Sequence, residues 1–121
     1  MPDTFRVLVV DDEFLIASSV ATLLETMGCA VVGPCLSLGQ ARDAARSQPL
    51  DAALLDINLG RDLVYPLAVE LQAQEIPFAF LTAVRPRDIP AVFASSPVLQ
   101  KQYSDRDIEG WLHTCDGYRG R

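Results

Sequence analysis

Basic side chains and long apolar runs are scarce in this sequence of 121 residues. Ten Lys and Arg stand against sixteen Asp and Glu, which gives a formal net charge of -6 and a sequence pI near 4.5. Because binding to phosphate backbones depends on clustered Lys and Arg, this balance argues against a nucleic-acid surface. No apolar run approaches the length of a membrane span, and residues 1–4 are not a basic segment leading into an apolar stretch. We therefore expect a soluble cytoplasmic protein that binds neither nucleic acid nor membrane.

Cysteine is also sparse and does not have the spacing of a ligand set. Cys29, Cys35 and Cys115 are odd in number, far from metal-ligand spacing, and set among apolar or small neighbours. A lone cysteine in such a context usually behaves as a small hydrophobe. We expect three reduced, packed thiols without a redox role.

Hydrophobic residues make up 50% of the chain, which is enough for one core. Neither an internal repeat nor a low-complexity linker divides the sequence. We therefore expect a single domain over residues 1–121, and no output domain after its last helix.

Short apolar runs alternate with segments of helical periodicity. The runs predict five buried strands, at residues 5–10, 30–33, 51–56, 78–82 and 98–100. The helical faces that we expect to be buried are Ile16, Val20, Leu23, Leu24 and Met27; Leu38, Ala41 and Ala45; Val64, Leu67, Ala68 and Leu71; and Ile108, Trp111, Leu112 and Cys115. Pro34 is expected to end the second strand at Gly33, and residues 57–62 to form a loop. Five βα units result, which predicts an α/β fold.

The fourth βα unit has the weakest pattern. Pro86 and Pro90 bracket a segment between Ala83 and Pro97 in which only residues 89–94 have the pattern for a turn or two of helix. The stretch has the proline content and weak periodicity of a region able to reorder.

Polar side chains lie at or directly after the carboxyl ends of four of the five predicted strands. They are Asp11 and Asp12, Asp56, Thr82 and Lys101. In one parallel sheet all of them would emerge at the carboxyl edge, where open α/β sheets place their ligand crevice. Carboxylates held together must take up protons or share a cation, and oxygen ligands suit Mg²⁺. With Lys101 and the Thr82 hydroxyl placed to bind phosphoryl oxygens, the constellation predicts phosphoryl transfer onto Asp56.

The chain resembles the receiver domain of a bacterial two-component response regulator over essentially its whole length. Residues 9–13, 54–56, 81–83 and 97–101 match that family's motifs in order and at typical intervals. The resemblance implies a flavodoxin-like (βα)5 fold, in which a doubly wound five-stranded parallel sheet has the strand order 2-1-3-4-5.

The resemblance also implies a phosphoacceptor and a metal site. Asp56 would accept phosphate from a phosphohistidine on a sensor histidine kinase or a histidine phosphotransfer protein. Asp12 and Asp56 would ligate Mg²⁺ (or Mn²⁺) directly, and Asp11 would act mostly through water. The backbone carbonyl of Asn58 would complete the protein ligands.

Further residues are implied in holding and releasing the phosphoryl group. Thr82, the backbone amide of Ala83 and Lys101 would bind the phosphoryl oxygens. Asn58 and Val84 would flank the path of an attacking water and so tune dephosphorylation. Beyond promoting its own phosphorylation and dephosphorylation, the chain is not expected to be an enzyme.

The finer resemblance is to single-domain receivers whose fourth strand and following loop spell Phe-Ala-Thr-Gly-apolar-Tyr. Residues 80–85 keep the Phe, the Thr and the apolar fifth residue and differ at the other three. Residues 56–60 and 64–67 also resemble that group.

Two positions depart from the family's pattern. Receivers usually have Lys-Pro with a cis bond after the fifth strand, whereas this chain has Lys101-Gln102, so cis and trans both stay open. Val98 stands where an aromatic switch residue is common. We therefore expect the signal to be relayed through residues 83–97.

Three classes of function stay open on the sequence. The first is a stand-alone phosphoacceptor in a phosphorelay, which signals by contact with a downstream protein or as a homodimer, or acts as a phosphate sink. The second is a degenerate receiver that binds partners without phosphorylation, which the Lys101-Gln102 step favours. The third is an aspartyl-nucleophile hydrolase, which is disfavoured because position 58 is Asn where those enzymes have a second acid.

Overall fold

Five parallel strands form the central sheet of the computed structural model, which describes residues 4–120. Two further strands, β4 (Asn58–Leu59) and β5 (Asp62–Leu63), form a separate hairpin. The strands of the central sheet are β1 (Arg6–Val10), β2 (Ala30–Cys35), β3 (Ala52–Leu55), β6 (Phe78–Thr82) and β7 (Val98–Gln100). The helices are α1 (Phe14–Thr26), α2 (Leu38–Ser47), α3 (Tyr65–Ala73) and α4 (Asp105–Thr114). The sheet order is β2-β1-β3-β6-β7, with every neighbouring pair parallel. The predicted fold class and strand order are confirmed.

Alternation along the strands divides the core into two layers. On one face of β1, Val7 and Val9 belong to an apolar cluster that includes residues of α1 and α4, among them Leu24 and Leu112. On the other face, Leu8 and Val10 join residues of α2 and α3. Because successive side chains of a strand point to opposite faces, both faces of this sheet must be covered by helices.

Strand β2 is longer than the sequence predicts. It runs through Gly33 and Pro34 to Cys35, so the expectation that Pro34 ends it is wrong. The strand lies at the edge of the sheet, where proline is tolerated, and the register with β1 shifts between Leu8 and Val10. Gly33 has a φ of 103° at this irregularity. The extra residues let the carbonyl of Cys35 accept a hydrogen bond of 3.1 Å from the amide of Asp11.

The expected loop after β3 is a small antiparallel hairpin. Strands β4 and β5 pair Asn58 with Leu63 and Leu59 with Asp62. Gly60 occupies the turn with a φ of 65°, a conformation that glycine adopts without cost. The hairpin places its tip beside the carboxyl edge of the main sheet.

The fourth crossover contains two 3₁₀ turns in place of an α-helix. They span Pro86–Asp88 and Ala91–Phe93, so the segment predicted to make a turn or two of helix makes one 3₁₀ turn. Proline lacks an amide donor, and each turn starts at or just after a proline. Phe93 anchors the crossover, because it is buried and its ring stacks on Tyr65 with centroids 5.4 Å apart.

The last helix buries the apolar face that the sequence predicts. The backbone amide of Ser104 donates to Asp107 Oδ2 at 2.8 Å, which is half of a capping box. Ile108, Trp111 and Leu112 are buried, and Cys115 lies directly after the helix. All three cysteines are free and buried, as predicted. Within residues 4–120, no helix has the length and apolar character needed to span a membrane.

Candidate functional site

Three carboxylates converge at the carboxyl edge of the sheet. One ligand oxygen from each of Asp11, Asp12 and Asp56 lies within 4.8 Å of the others. Asp11 and Asp56 are only 3% and 5% exposed, whereas Asp12 is exposed. The structure therefore brings together the three aspartates that the sequence singled out, at the ends of two adjacent strands.

Backbone hydrogen bonds fix where these aspartates stand. The amide of Asp56 donates to the carbonyl of Val10 at 2.8 Å, which continues the β1–β3 ladder to the residue directly after β3. Asp11 Oδ1 accepts from the amide of Glu13 at 2.9 Å, and Asp12 Oδ2 accepts from the amide of Gly60 at 2.9 Å. One oxygen of Asp12 is thereby held by the hairpin.

Lys101 reaches into the carboxylate cluster. Its Nζ lies 3.0 Å from Asp11 Oδ2 and 3.5 Å from Asp56 Oδ2. Among residues 4–120 the cis peptide bond is Gly33–Pro34, so the Lys101–Gln102 bond that the sequence left open is trans. The lysine side chain contacts the site without the Lys-Pro step that receivers usually have.

Burial and like charge set the proton affinity of Asp56. Burial raises the pKa of Asp56 to about 6, and the neighbouring Asp11 and Asp12 act in the same direction while the Lys101 ammonium opposes them. Burial alone would lower the pKa of Lys101, but its hydrogen bond to Asp11 and the charges of Asp56 and Asp11 outweigh burial and raise it. At neutral pH the site therefore combines an ionised Asp56 with a firmly protonated lysine.

Thr82 ends β6 beside the cluster with its side chain fully buried. Its Oγ1 accepts a hydrogen bond from the amide of Val84 at 3.1 Å. The carbonyl of Val84 accepts from Gln100 Nε2 at 2.8 Å. Ala83, whose amide is a predicted phosphoryl ligand, lies exposed between Thr82 and the partly buried Val84.

Asn58 lies two residues beyond Asp56, at the start of β4. Its side chain is exposed, and it pairs with Leu63 across the hairpin. The predicted metal ligand is its backbone carbonyl, which the hairpin holds in a regular strand conformation.

Two residues that support the site were missed in the sequence. Gly60 donates to Asp12, and Gln100 donates to the loop after Thr82. A glycine in the turn of a short loop was the available signal for the first. Gln100 gave none, because its contact depends on the pairing of β6 with β7.

The donor set fits a hard divalent cation. All three converging side chains are carboxylates, and the exposed side of Asp12 leaves the cluster open to water. Mg²⁺ prefers one or two carboxylates, retains several waters, and accepts a backbone carbonyl. An ammonium group already offsets part of the negative charge, and a metal would offset more of it.

A family model described as the response regulator receiver domain matches residues 7–106. Among solved structures, a CheY-like receiver domain protein from Methanospirillum hungatei aligns with a TM-score of 0.82 at 20% identity, covering 93% of both chains. SdrG from Sphingomonas melonis aligns with a TM-score of 0.80 at 32% identity, covering 93% of this chain and 97% of that one. A CheY-like receiver from Methylobacillus flagellatus gives 0.79 at 21% identity, with 93% and 98% covered. No curated protein matches the chain.

Proposed function

Because this chain belongs to the response regulator receiver domain family, we propose that it accepts a phosphoryl group on Asp56 from a sensor histidine kinase or a histidine phosphotransfer protein. Members of this family are phosphoacceptors of two-component systems that bind Mg²⁺ in an acidic pocket. The assignment of each role to a residue of this chain is our proposal.

One observation carries the proposal. Asp11, Asp12 and Asp56 present oxygens within 4.8 Å of one another, and the ammonium of Lys101 lies 3.0 Å from the first and 3.5 Å from the last. Such crowding of like charge is costly unless cations share it. The arrangement suits a site in which an additional anionic group must be received next to a carboxylate.

The aspartates divide the metal site between them. Asp12 and Asp56 are proposed to ligate Mg²⁺ directly, with Asp11 acting mostly through water and the Asn58 carbonyl completing the protein ligands. A bound divalent ion would reduce the electrostatic repulsion between the carboxylate nucleophile and the incoming phosphoryl group. The hydrogen bond from Gly60 orients Asp12.

Asp56 performs the transfer as a nucleophile. One carboxylate oxygen forms a bond to phosphorus while the phosphorus–nitrogen bond of phosphohistidine breaks. The imidazole leaves with the bonding electron pair. It leaves as a neutral ring when its other nitrogen carries a proton. With a pKa of about 6, Asp56 is mostly ionised at neutral pH and is therefore available as the nucleophile.

We propose that three donors of this chain bind the phosphoryl oxygens. The Thr82 hydroxyl, the Ala83 amide and the Lys101 ammonium are the donors. Lys101 already lies 3.5 Å from Asp56 Oδ2 and needs little movement to contact a phosphoryl group there.

The lifetime of the acyl phosphate is proposed to depend on Asn58 and Val84, which flank the path of an attacking water. Val84 offers no polar group to orient that water. Self-hydrolysis is therefore expected to be slower than in a Val84→Glu variant.

Output is proposed to occur by contact with a partner protein or by draining phosphate from a kinase. The main feature that favoured a phosphorylation-independent protein was the missing Lys-Pro step. The contact of Lys101 with Asp11 and Asp56 weakens that alternative. The Asn at position 58 still disfavours a hydrolase.

Incubation with phosphoramidate and Mg²⁺, followed by intact mass measurement, tests the function. Phosphoramidate has the phosphorus–nitrogen bond of phosphohistidine. We expect a mass increase of one phosphoryl group in the wild type, which is lost in Asp56→Asn and in the presence of a chelator. A wild type that stays unmodified would contradict the proposal, as would continued turnover of a phosphate ester.

A further inference from the structure

We infer that Gln100 is a positioning residue that holds residues 82–84 in the arrangement of this structure and so opposes a shift of these residues toward a phosphoryl group on Asp56. The inference rests on the proposed function, because it concerns how the donors for the phosphoryl group are set. It assigns a role to a side chain that neither touches Asp56 nor belongs to the acidic cluster.

The pairing of β6 with β7 puts Gln100 next to the phosphoryl-binding loop. Thr82 and Gln100 are direct partners in this parallel pair. From that position Gln100 Nε2 donates to the carbonyl of Val84 at 2.8 Å, while the amide of Val84 donates to Thr82 Oγ1 at 3.1 Å. Val84 is therefore held through both its amide and its carbonyl, by the two residues that pair across the strands.

This arrangement links the hydroxyl oxygen of Thr82 to the loop. The side chain is fully buried, and its Oγ1 accepts a hydrogen bond from the amide of Val84. A hydroxyl can accept and donate at the same time, so this bond leaves the hydroxyl proton available for a phosphoryl group. If the oxygen moves toward a phosphoryl group on Asp56, however, the amide of Val84 must follow it or lose its acceptor. When Val84 follows, its carbonyl leaves Gln100, so the hydrogen bond from Gln100 opposes the movement.

The hydrogen bond from Gln100 therefore favours the observed arrangement of residues 82–84 over one that has shifted toward a phosphoryl group. A ligand shifts such an equilibrium only by the difference between its affinities for the two states. Its apparent affinity is therefore its affinity for the binding-competent state multiplied by the fraction of molecules in that state. A single hydrogen bond donated by an exposed side chain contributes a small net free energy, which corresponds to about a threefold change in a binding constant.

A second glutamine provides a matched comparison. Gln72 Nε2 donates to the carbonyl of Val92 at 3.1 Å, which tethers the same crossover at its second 3₁₀ turn, beside the buried Phe93. It has the same chemistry and the same type of acceptor, but it does not hold the loop that follows Thr82.

The test is a beryllofluoride titration in the presence of Mg²⁺, followed through backbone amide resonances. Wild type, Gln100→Met and Gln72→Met are compared, since methionine keeps the length of the side chain and removes its donor. In Gln100→Met we expect half-saturation at about a threefold lower beryllofluoride concentration. The Val84 amide resonance of the free variant should also move toward its position in the saturated wild type, and Gln72→Met should match the wild type in both respects.

The outcomes of this titration separate the role of Gln100 from the proposed function. If the wild type binds beryllofluoride but Gln100→Met has an unchanged or higher midpoint, the role of Gln100 is overturned and the proposed function stands. If Gln72→Met lowers the midpoint as much as Gln100→Met, general loosening of the crossover replaces the specific role. If the wild type shows no saturable shift near Asp56, the proposed function falls and the inference falls with it.

Discussion

Burial and like charge act together on the carboxyl group of Asp56. Its pKa of about 6 in the folded chain exceeds the ordinary value of 3.8. The folded state therefore binds this proton more tightly than the unfolded state does. The stability associated with the protonated group is fully present below about pH 3.8 and is lost as the pH rises through about 6.

An uncharged residue at position 56 should remove the loss of stability that accompanies ionisation of Asp56. For Asp56→Asn without divalent cations we expect the free energy of unfolding to exceed that of the wild type by on the order of 1–2 kcal/mol at about pH 7.5. The difference should shrink as the pH is lowered toward about 5. Urea unfolding at the two pH values measures it, with the exposed Asp43→Asn on α2 as a control that should change little. A variant less stable than the wild type at the higher pH would contradict this reading.

Lys101 should have opposite effects on the two ligands of the site. Its ammonium contacts Asp11 and Asp56, where it competes with a metal cation and attracts an anionic phosphoryl group. In Lys101→Met we expect Mg²⁺ affinity to rise by about tenfold, and beryllofluoride affinity to fall by at least as much, because an ion pair at this distance is worth a few kcal/mol at an effective dielectric near 20. Titrations with each ligand report the two constants. A parallel fall in both would indicate structural damage in place of this electrostatic role.

The residues of the site were predictable to the extent that they follow strands. Asp11, Asp56 and Thr82 each come directly after or at the end of an apolar run, which the sequence displays. Gln100 was not predictable and Gly60 was visible only as the glycine of a short loop, because both act through hydrogen bonds between segments that are adjacent only in the fold.

At the scale of elements, the edge strand β2 supports the backbone of Asp11. Its irregularity at Gly33 allows Cys35 to pair with Val10 and to accept a hydrogen bond from the Asp11 amide. The sequence pattern of a proline after a short apolar run predicted a strand end here, since an edge strand with a register shift cannot be told from a terminated strand without its neighbour.

Substitution of Gly33 should be costly. A Cβ at this position would lie 2.6 Å from the amide nitrogen of Cys35 and 3.1 Å from the carbonyl of Val9, on a backbone with φ of +103°. We expect Gly33→Ala to lower the free energy of unfolding by about 1–3 kcal/mol. Gly39→Ala is the matched control: it lies in α2, with nothing within 4 Å of the added atom, and should be neutral or stabilising by up to about 1 kcal/mol. Equal effects of the two substitutions would refute the role of Gly33.

The fourth crossover is the element whose structure the sequence least specified. Prolines limited the helical pattern, and the outcome depended on the burial of Phe93 between α3 and the sheet. The segment is tethered by Gln100 at its start and by Gln72 near its middle. We predict that this segment reorders on phosphorylation, because each of these two tethers is a single side-chain hydrogen bond.

Amide exchange should register that reordering. On addition of beryllofluoride and Mg²⁺ we expect the exchange rates of residues 83–97 to change by more than those of β1 and β3, which lie buried at the centre of the sheet. Hydrogen–deuterium exchange with mass spectrometry measures both regions in one sample. Unchanged protection across the crossover would count against signal relay through it.

At the scale of the whole molecule, the sheet explains why distant residues meet. Asp11, Asp56, Thr82 and Lys101 are spread over most of the chain, yet parallel pairing in the order β2-β1-β3-β6-β7 brings their strand ends to one edge. Two apolar layers cover the faces of the sheet and leave that edge accessible. The alternation of strands and helices made this topology predictable, whereas the 3₁₀ turns of the fourth crossover and the β4–β5 hairpin depend on tertiary contacts.

The central claim is that this edge makes Asp56 receptive to a phosphoryl group in the presence of Mg²⁺. Borohydride reduces an aspartyl phosphate to homoserine, and peptide mass mapping then locates the modified position. After treatment with acetyl phosphate and Mg²⁺ we predict homoserine at position 56 of the wild type, and none when a chelator replaces the metal. An unmodified Asp56, or homoserine at a different aspartate, would contradict the account.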